Sequence, residues 1–237
     1  MRLLFFLFFI IYSTNILSKE IDVRIFIPPK AFQYIPIIKE ETEKIFPDFF
    51  LPAYFGALIE HESCISLSHS RCWSPKSRLK TSREEGAGLS QLTRAYRNDG
   101  SVRFDTLTEL SKRYKYELKE LTWDTVYYRP DLQIKAMILI TKTNYNNLFF
   151  INNWFERLKM ADSVYNGGMS SLVKDRTICG LAKDCDPQIW KFNVEKYCSK
   201  SKKILYGNRN ACDINRNHVY ETTNLRLKKY YLAFKES

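Results

Sequence analysis

Apolar residues recur every three to four positions along much of this chain, and that spacing predicts a mainly α-helical fold. We expect six helical stretches, at residues 36–45, 52–63, 106–118, 131–144, 156–165 and 215–235. The stretch 131–144 is apolar on most sides, which is typical of a helix at the centre of a core.

Glycine and proline mark the boundaries between these helices. Asn166, Gly167 and Gly168 end the fifth one, because Asn and Gly accept the left-handed backbone of a helix C-cap. Asp186-Pro187 is a start signal and predicts a further helix. The segment 82–93 lacks helical spacing and contains Gly86 and Gly88, so we expect a small β-hairpin or irregular region there.

The N-terminal residues have the pattern of a secretory signal peptide. Arg2 gives a basic start, residues 3–12 are apolar and residues 13–18 are polar or mixed. The apolar run is about half of the roughly 20 residues that a spanning helix needs, which favours cleavage near Ser18. An uncleaved membrane anchor is the alternative. We expect residues 1–18 to be a signal peptide and residues 19–237 to form one domain.

Six cysteines follow the export segment, and an even number in an exported chain favours disulfides. Proximity along the sequence favours the pairs Cys64–Cys72, Cys179–Cys185 and Cys198–Cys212. Zinc binding is the alternative, but no Cys-x-x-Cys pair occurs. The three histidines, His61, His69 and His218, form no ligand pattern either, so we expect no metal site.

The formal net charge of +11 at pH 7 indicates an acidic partner or a strongly solvated surface. For an exported protein, the available anions are peptidoglycan carboxylates and anionic envelope polymers. Lysine and arginine are spread along the chain without a compact basic motif, so we expect no specific nucleic-acid partner. Membrane contact is expected only through an uncleaved N-terminal segment.

Glu62 is the candidate catalytic residue. It lies at the end of the helix predicted over 52–63, where Phe55, Leu58 and Ile59 place it beside an apolar face. Burial disfavours the charged form of a carboxyl group, which helps a general acid to hold its proton near neutral pH.

Several short motifs accompany Glu62-Ser63 in a fixed order. They are Trp73-Ser74-Pro75, Ser82, the segment Gly86-Ala87-Gly88-Leu89-Ser90-Gln91 and the segment Ser163-Val164-Tyr165-Asn166-Gly167-Gly168. This set resembles the lysozyme-like lytic transglycosylases. In that family a Glu-Ser pair ends a helix, a Gly-Leu-Met-Gln segment follows, and an Ala-Tyr-Asn-x-Gly segment closes the site. The resemblance covers residues 47–175.

The resemblance implies a lysozyme-like helical domain, with residues 176–237 as a disulfide-bearing C-terminal elaboration similar to those of exported or phage-borne members. It implies cleavage of peptidoglycan glycan strands in the periplasm or cell envelope, without a cofactor. Glu62 would act as general acid and then as base. The substrate-binding residues would be Ser82, Gly88, Gln91, Tyr165 and Asn166.

Two departures from the family pattern alter the expected site. Residues 64–72 lengthen the loop beside the acid, and Ser90 replaces the usual methionine, which removes an apolar contact near the sugar. Of the four aromatic residues that could stack on sugars, Trp73, Trp123, Tyr96 and Tyr128, we expect most to pack in the core.

The second carboxylate of a hydrolytic muramidase could be Glu84 or Glu85, although we favour a solvated pair on a loop. Glu60 is two residues from Glu62 and points to the other side of the helix. A hydrolytic muramidase is therefore the first alternative to the transglycosylase. A non-catalytic protein that binds the cell wall or assists assembly is the second.

Overall fold

Helices predominate in the protein, together with a small antiparallel sheet. The computed structural model describes residues 26–236, and the predicted signal segment 1–18 lies outside them. The helices within this range are α1 (Ile35–Ile45), α2 (Ala53–Ser63), α3 (Thr106–Arg113), α4 (Pro130–Asn147), α5 (Trp154–Gly167), α6 (Met169–Leu181), α7 (Ala211–Tyr220) and α8 (Leu227–Glu236). A π-helical turn, Glu221–Arg226, joins α7 to α8.

Helix α6 was not predicted, and the helix expected at Asp186-Pro187 is absent from the described structure. The chain resumes a helix directly after Gly168, whose φ of 80° makes a break of one residue between α5 and α6. The Asp186 carboxylate accepts a hydrogen bond from the backbone N–H of Gln188 at 2.7 Å, so it forms a local turn. Helix α3 is also shorter than expected, because it ends at Arg113.

The β region is larger than the hairpin predicted over 82–93. Strands β1 (Arg78–Lys80), β2 (Glu84–Ala87), β3 (Leu92–Tyr96) and β4 (Val102–Asp105) form one antiparallel sheet in the order β1-β2-β3-β4. The outer strands β1 and β4 are almost wholly exposed. They therefore lack the apolar alternation that identifies a half-buried strand. Strands β5 (Ile204–Tyr206) and β6 (Arg209–Asn210) form a separate hairpin.

Helix α4 is central, as its apolar composition predicted. Its residues Ile134, Met137 and Ile138 belong to a core cluster that α1, α2 and α8 share. Its other apolar positions, including Leu132 and Ala136, pack with the sheet and with α3. One helix therefore joins the helical part of the molecule to the sheet.

The predicted disulfides are confirmed: Cys64–Cys72, Cys179–Cys185 and Cys198–Cys212 are all bonded. Such bonds fit an oxidising compartment. No helix among residues 26–236 is long and apolar enough to cross a membrane.

The C-terminal helices are part of the core. Tyr230 and Phe234 of α8 pack against α2 in the largest core cluster. A Cβ atom at Gly56 of α2 would lie 2.7 Å from Tyr230 Cδ1, so the two helices approach closely only because residue 56 is glycine. Helix α8 thereby fixes the position of α2, which contains Glu62.

Candidate active site

Glu62 lies where α2 leaves the core. Residues 53–60 of this helix are buried, whereas the Glu62 side chain is 16% exposed. The next residue, Ser63, is buried and its hydroxyl accepts a hydrogen bond from the backbone N–H of Trp73 at 3.1 Å. Glu62 is therefore held at the end of a rigid element and still has access to solvent.

The Glu62 carboxylate contacts the imidazole of His218 on α7. His218 Nε2 lies 2.8 Å from Glu62 Oε1, and His218 Nδ1 lies 2.8 Å from Asp162 Oδ2 on α5. His218 is 1% exposed and Asp162 is wholly buried. Asp162 also accepts hydrogen bonds from Tyr54 Oη at 2.6 Å and from Thr222 Oγ1 at 2.8 Å.

The two carboxylates favour a protonated His218. Burial acts to lower its pKa, but the charges and hydrogen bonds of Asp162 and Glu62 outweigh burial and raise the pKa to about 10. The ring of His61 lies across that of His218, with centroids 4.4 Å apart. Burial and the charges of His218, Arg226 and Arg209 lower the pKa of His61 to about 2, so His61 stays neutral.

Glu60 belongs to a different set of contacts. It is buried and accepts hydrogen bonds from Tyr230 Oη at 2.6 Å, Lys229 Nζ at 2.7 Å and Arg226 Nε at 3.1 Å. The predicted separation of Glu60 from Glu62 fits these contacts, because Glu60 bonds to α8 and the π-helical turn while Glu62 bonds to α7. Glu60 has a structural role at the α2–α8 contact.

The turn Gly88–Gln91 is braced by Gln133 of α4. Gly88 has a φ of 75°, and a Cβ atom there would lie 2.3 Å from the Gln133 side chain. Gln133 Oε1 accepts from the backbone N–H of Leu89 at 2.7 Å, and Gln133 Nε2 donates to the Pro75 carbonyl at 3.1 Å. Gln91 Nε2 in turn donates to the Gly88 carbonyl at 2.8 Å. This turn is therefore rigid and depends on glycine.

Tyr165 and Ser77 join this turn to the surroundings of Glu62. The Tyr165 hydroxyl donates to the Ser90 carbonyl at 2.8 Å, and its ring stacks on His218 with a centroid distance of 6.3 Å. The Ser77 hydroxyl donates to the Ser63 carbonyl at 3.4 Å, and Gln91 Nε2 lies 3.5 Å from the Ser77 carbonyl oxygen. Burial raises the pKa of Tyr165, and the Glu62 and Asp162 charges add to that effect.

Asn166 lies at the end of α5 in a chain of amide contacts. Its side-chain oxygen accepts a hydrogen bond from Asn215 Nδ2 at 3.1 Å, and the same nitrogen donates to the Ser163 carbonyl at 2.9 Å. Ser163 Oγ donates to Asn215 Oδ1 at 2.9 Å. These contacts fix α7 on α5 and thus fix His218 relative to Asp162.

Ser82 is placed differently from the other proposed substrate-binding residues. It is exposed in the turn between β1 and β2, and none of the contacts around Glu62 described above involves it. Ser77, which the sequence did not single out, is the buried serine beside the end of α2. Trp73 is fully buried and donates to Tyr230 Oη at 2.9 Å, so its role is packing.

The interpretation of Glu84 and Glu85 as a solvated loop pair is wrong. Both lie in β2, and Glu85 is buried, with its carboxylate accepting a hydrogen bond from Arg78 Nε at 2.8 Å. Burial acts to raise the pKa of Glu85, but Arg78, Lys80 and the Tyr127 hydroxyl lower it overall. Glu84 accepts a hydrogen bond from the Tyr206 hydroxyl.

No protein-family model, curated protein or solved structure matches this chain. The interpretation of the site therefore depends on its residues and geometry. Within residues 26–236, no group of three His, Cys, Asp or Glu side chains is arranged to hold a metal ion.

Sequence reasoning missed Asp162 and His218, the two residues most closely coupled to Glu62. One signal could have identified them. Asp162 interrupts the apolar face of α5 between Ala161 and Val164, and His218 lies next to Val219 at a position that α7 also buries. A charged or titratable residue at a position that periodicity predicts to be buried needs a partner, and these two residues are partners of each other.

Proposed function

We propose that this protein is a lytic transglycosylase with a lysozyme-like helical domain. It would cleave the β-1,4 bond between N-acetylmuramic acid and N-acetylglucosamine in peptidoglycan. The main support is the position of Glu62, a partly exposed acid at the end of a buried helix. Tyr165 and the turn containing Gly88 and Gln91 are joined to that helix end by hydrogen bonds and ring contacts.

In the proposed reaction Glu62 first donates a proton to the departing glycosidic oxygen. The sugar carbon then develops oxocarbenium-like charge. The ionised Glu62 takes the proton of the 6-hydroxyl of the same muramyl residue, and that oxygen bonds to the sugar carbon. The product is a 1,6-anhydro sugar, and the proton taken from the 6-hydroxyl replaces the one that Glu62 donated.

The neighbouring carboxylates favour transglycosylation over hydrolysis. A hydrolase of the lysozyme type uses a second carboxylate as nucleophile, stabiliser or water activator. Asp162 is wholly buried and accepts three side-chain hydrogen bonds, Glu60 is buried against α8, and Glu85 is paired with Arg78. None of these three carboxylates is free to act at a sugar carbon beside Glu62.

The test is mass spectrometry of the products released from purified peptidoglycan. The wild type, Glu62→Gln and Glu43→Gln are compared, since Glu43 is an exposed residue of α1 and its change removes the same charge. We expect muropeptides with 1,6-anhydro-N-acetylmuramic ends from the wild type and from Glu43→Gln, but none from Glu62→Gln.

Other products would change the assignment. Reducing ends would indicate a muramidase, and full activity in a folded Glu62→Gln protein would refute the role of Glu62. Binding without release, by a wild type with its disulfides intact, would favour a non-catalytic wall-binding protein.

We also propose that the protein contacts anionic groups of the envelope through a basic groove. The groove has a volume of about 440 Å³, and the four cations Arg83, Arg97, Arg103 and Lys203 line it. No carboxylate lies among the described residues that line it. Such a groove attracts carboxylates or phosphates by screened electrostatics.

The groove is tested by pelleting the protein with peptidoglycan. Arg103→Gln combined with Lys203→Gln should weaken binding and reduce its salt dependence more than Arg113→Gln combined with Lys119→Gln, a pair of exposed cations elsewhere. Amidation of the peptidoglycan carboxylates should remove the difference between the two double variants. Equal binding by both would show that the groove is not a contact surface.

A further inference from the structure

We infer that His218 is a positioning residue for Glu62, holding at Nε2 the proton that Glu62 delivers to the leaving oxygen and later recovers. This inference depends on the proposed function, because it explains how Glu62 is supplied with a proton. It assigns His218 and Asp162 roles that the sequence motifs do not include.

The contacts place one imidazole between two carboxylates. Each imidazole nitrogen lies 2.8 Å from a carboxylate oxygen, which is within hydrogen-bond distance on both sides. His218 is 1% exposed, so water does not compete freely for its proton. A proton on Nε2 is thus shared with Glu62 and with no other described acceptor.

Asp162 fixes the orientation of the imidazole. Its Oδ2 accepts from His218 Nδ1 and from Thr222 Oγ1, and its Oδ1 accepts from Tyr54 Oη. These donors stabilise the ionised carboxylate, which keeps a proton on Nδ1 and leaves Nε2 directed at Glu62. Asp162 therefore does not compete with Glu62 for the mobile proton.

The other titratable groups that face His218 do not take this proton. Besides Glu62, the acceptor, these groups are His61 of α2 and Asp162 and Tyr165 of α5. Arg226 Nη1 lies 3.2 Å from His61 Nδ1. A guanidinium can only donate, so His61 Nδ1 accepts this hydrogen bond and carries no proton. The pKa of His61 is lowered to about 2 and that of Tyr165 is raised, so both stay neutral.

The proton transfer conserves charge and atoms. The proton moves from His218 Nε2 to Glu62 Oε1, which leaves a neutral imidazole and a neutral carboxylic acid. Glu62 passes that proton to the glycosidic oxygen as the carbon–oxygen bond breaks. The proton of the attacking 6-hydroxyl returns to Glu62 and then to Nε2, so the pair needs no proton from solvent during one turnover.

A purely structural role for His218 makes a different prediction. If His218 only links α2, α5 and α7, its replacement lowers the activity of the folded protein by the same factor at every pH. If it stores the proton, replacement forces Glu62 to draw a proton from water. The protonated fraction of an acid that exchanges its proton with water decreases by up to tenfold per pH unit, so the rate of such a variant should fall as the pH increases.

The activity test compares the pH profiles of the wild type, His218→Gln and His218→Asn. Gln keeps an amide donor near the position of Nε2, Asn keeps one near Nδ1, and neither residue titrates. We expect the wild-type rate of anhydro-product release to stay nearly constant from pH 6 to pH 8. The ratio of wild-type to variant rate should increase about tenfold per unit over that range. If the pH profiles of the wild type and the variants have the same shape, the inference is overturned. Near-ultraviolet circular dichroism checks that each variant is folded.

A second test does not require activity. Nitrogen-15 NMR of the histidine side chains reports whether each ring nitrogen is protonated. We expect His218 to carry protons on both nitrogens at pH 8 in the wild type, and to lose one at lower pH in Glu62→Gln and in Asp162→Asn than in the wild type. His69, in the loop 64–72, serves as the internal control, because its signals should be the same in the wild type and in both variants at any one pH.

The two tests separate the inference from the proposed function. A neutral His218 at pH 7 would refute the inference that Glu62 and His218 share a proton, whatever substrate the protein cleaves. A protonated His218 with no peptidoglycan cleavage would refute the proposed function and show that Glu62 and His218 share a proton for another purpose.

Discussion

The pH dependence of stability tests the buried contact of His218 independently of catalysis. The perturbation is His218→Gln, which removes the titrating group from a site that is 1% exposed. In the folded protein the pKa of His218 is raised to about 10, because Asp162 and Glu62 outweigh the effect of burial. In the unfolded chain a histidine titrates at about 6.5.

Because the pKa is higher in the folded state, protonated His218 stabilises the fold. The stabilisation is fully present below about pH 6.5 and is lost as the pH increases towards 10. The difference between about 10 and 6.5 corresponds to about 5 kcal/mol at low pH. Between pH 6.5 and pH 9.5 the linkage relation gives a loss of about 3 to 4 kcal/mol.

The assay is urea unfolding of the wild type and of His218→Gln at several pH values from 6.5 to 9.5. Lysine and tyrosine side chains titrate in both proteins, so the difference between the two free energies of unfolding isolates His218. That difference should shrink by about 3 to 4 kcal/mol across the range. All six cysteines are bonded, so thiol ionisation does not contribute. If the free energies of unfolding of the two proteins change with pH in parallel, His218 gains no proton on folding and the electrostatic reasoning is wrong.

Three further outcomes are expected. Ser90→Ala should raise the free energy of unfolding by about 1 kcal/mol in urea unfolding, because the Ser90 hydroxyl is buried without a hydrogen-bond partner among the described residues. A lower free energy of unfolding in Ser90→Ala would show that the Ser90 hydroxyl has a hydrogen-bond partner. Gly88→Ala should lower the free energy of unfolding by more than about 2 kcal/mol, since it combines a left-handed φ with a Cβ position 2.3 Å from Gln133. Gly100 has a similar φ of 81°, but a Cβ atom there would have no other atom within 4 Å. Gly100→Ala should therefore lower the free energy of unfolding by only about 1 kcal/mol. Equal losses for Gly88→Ala and Gly100→Ala would contradict the steric argument.

Local sequence signals predicted the features that local forces determine. Helices α1, α2, α4 and α5 begin and end within about three residues of the expected bounds, because their apolar spacing faces a core and proline or glycine marks their ends. The disulfides follow sequence proximity, since each closes a short loop. The central position of α4 follows from its apolar surface.

The features that were missed depend on contacts between distant parts of the chain. His218 and Glu62 are separated by 156 residues, and His218 and Asp162 by 56, so no local pattern links them. Strands β1 and β4 form by pairing with their neighbours, and their own side chains are exposed. The role of Ser82 came only from the resemblance to a family, and the structure places that residue at an exposed turn.

The location of His218, Arg226 and Lys229 affects how the protein is made. A ribosome completes α2 long before it reaches these residues, which bond to Glu62 and Glu60. A nascent chain, or one ended by a premature stop codon before residue 218, contains the acid without the residues that orient and compensate it. Under the proposed function, such fragments should not cleave peptidoglycan, so activity would begin only when the C-terminal helices have been made.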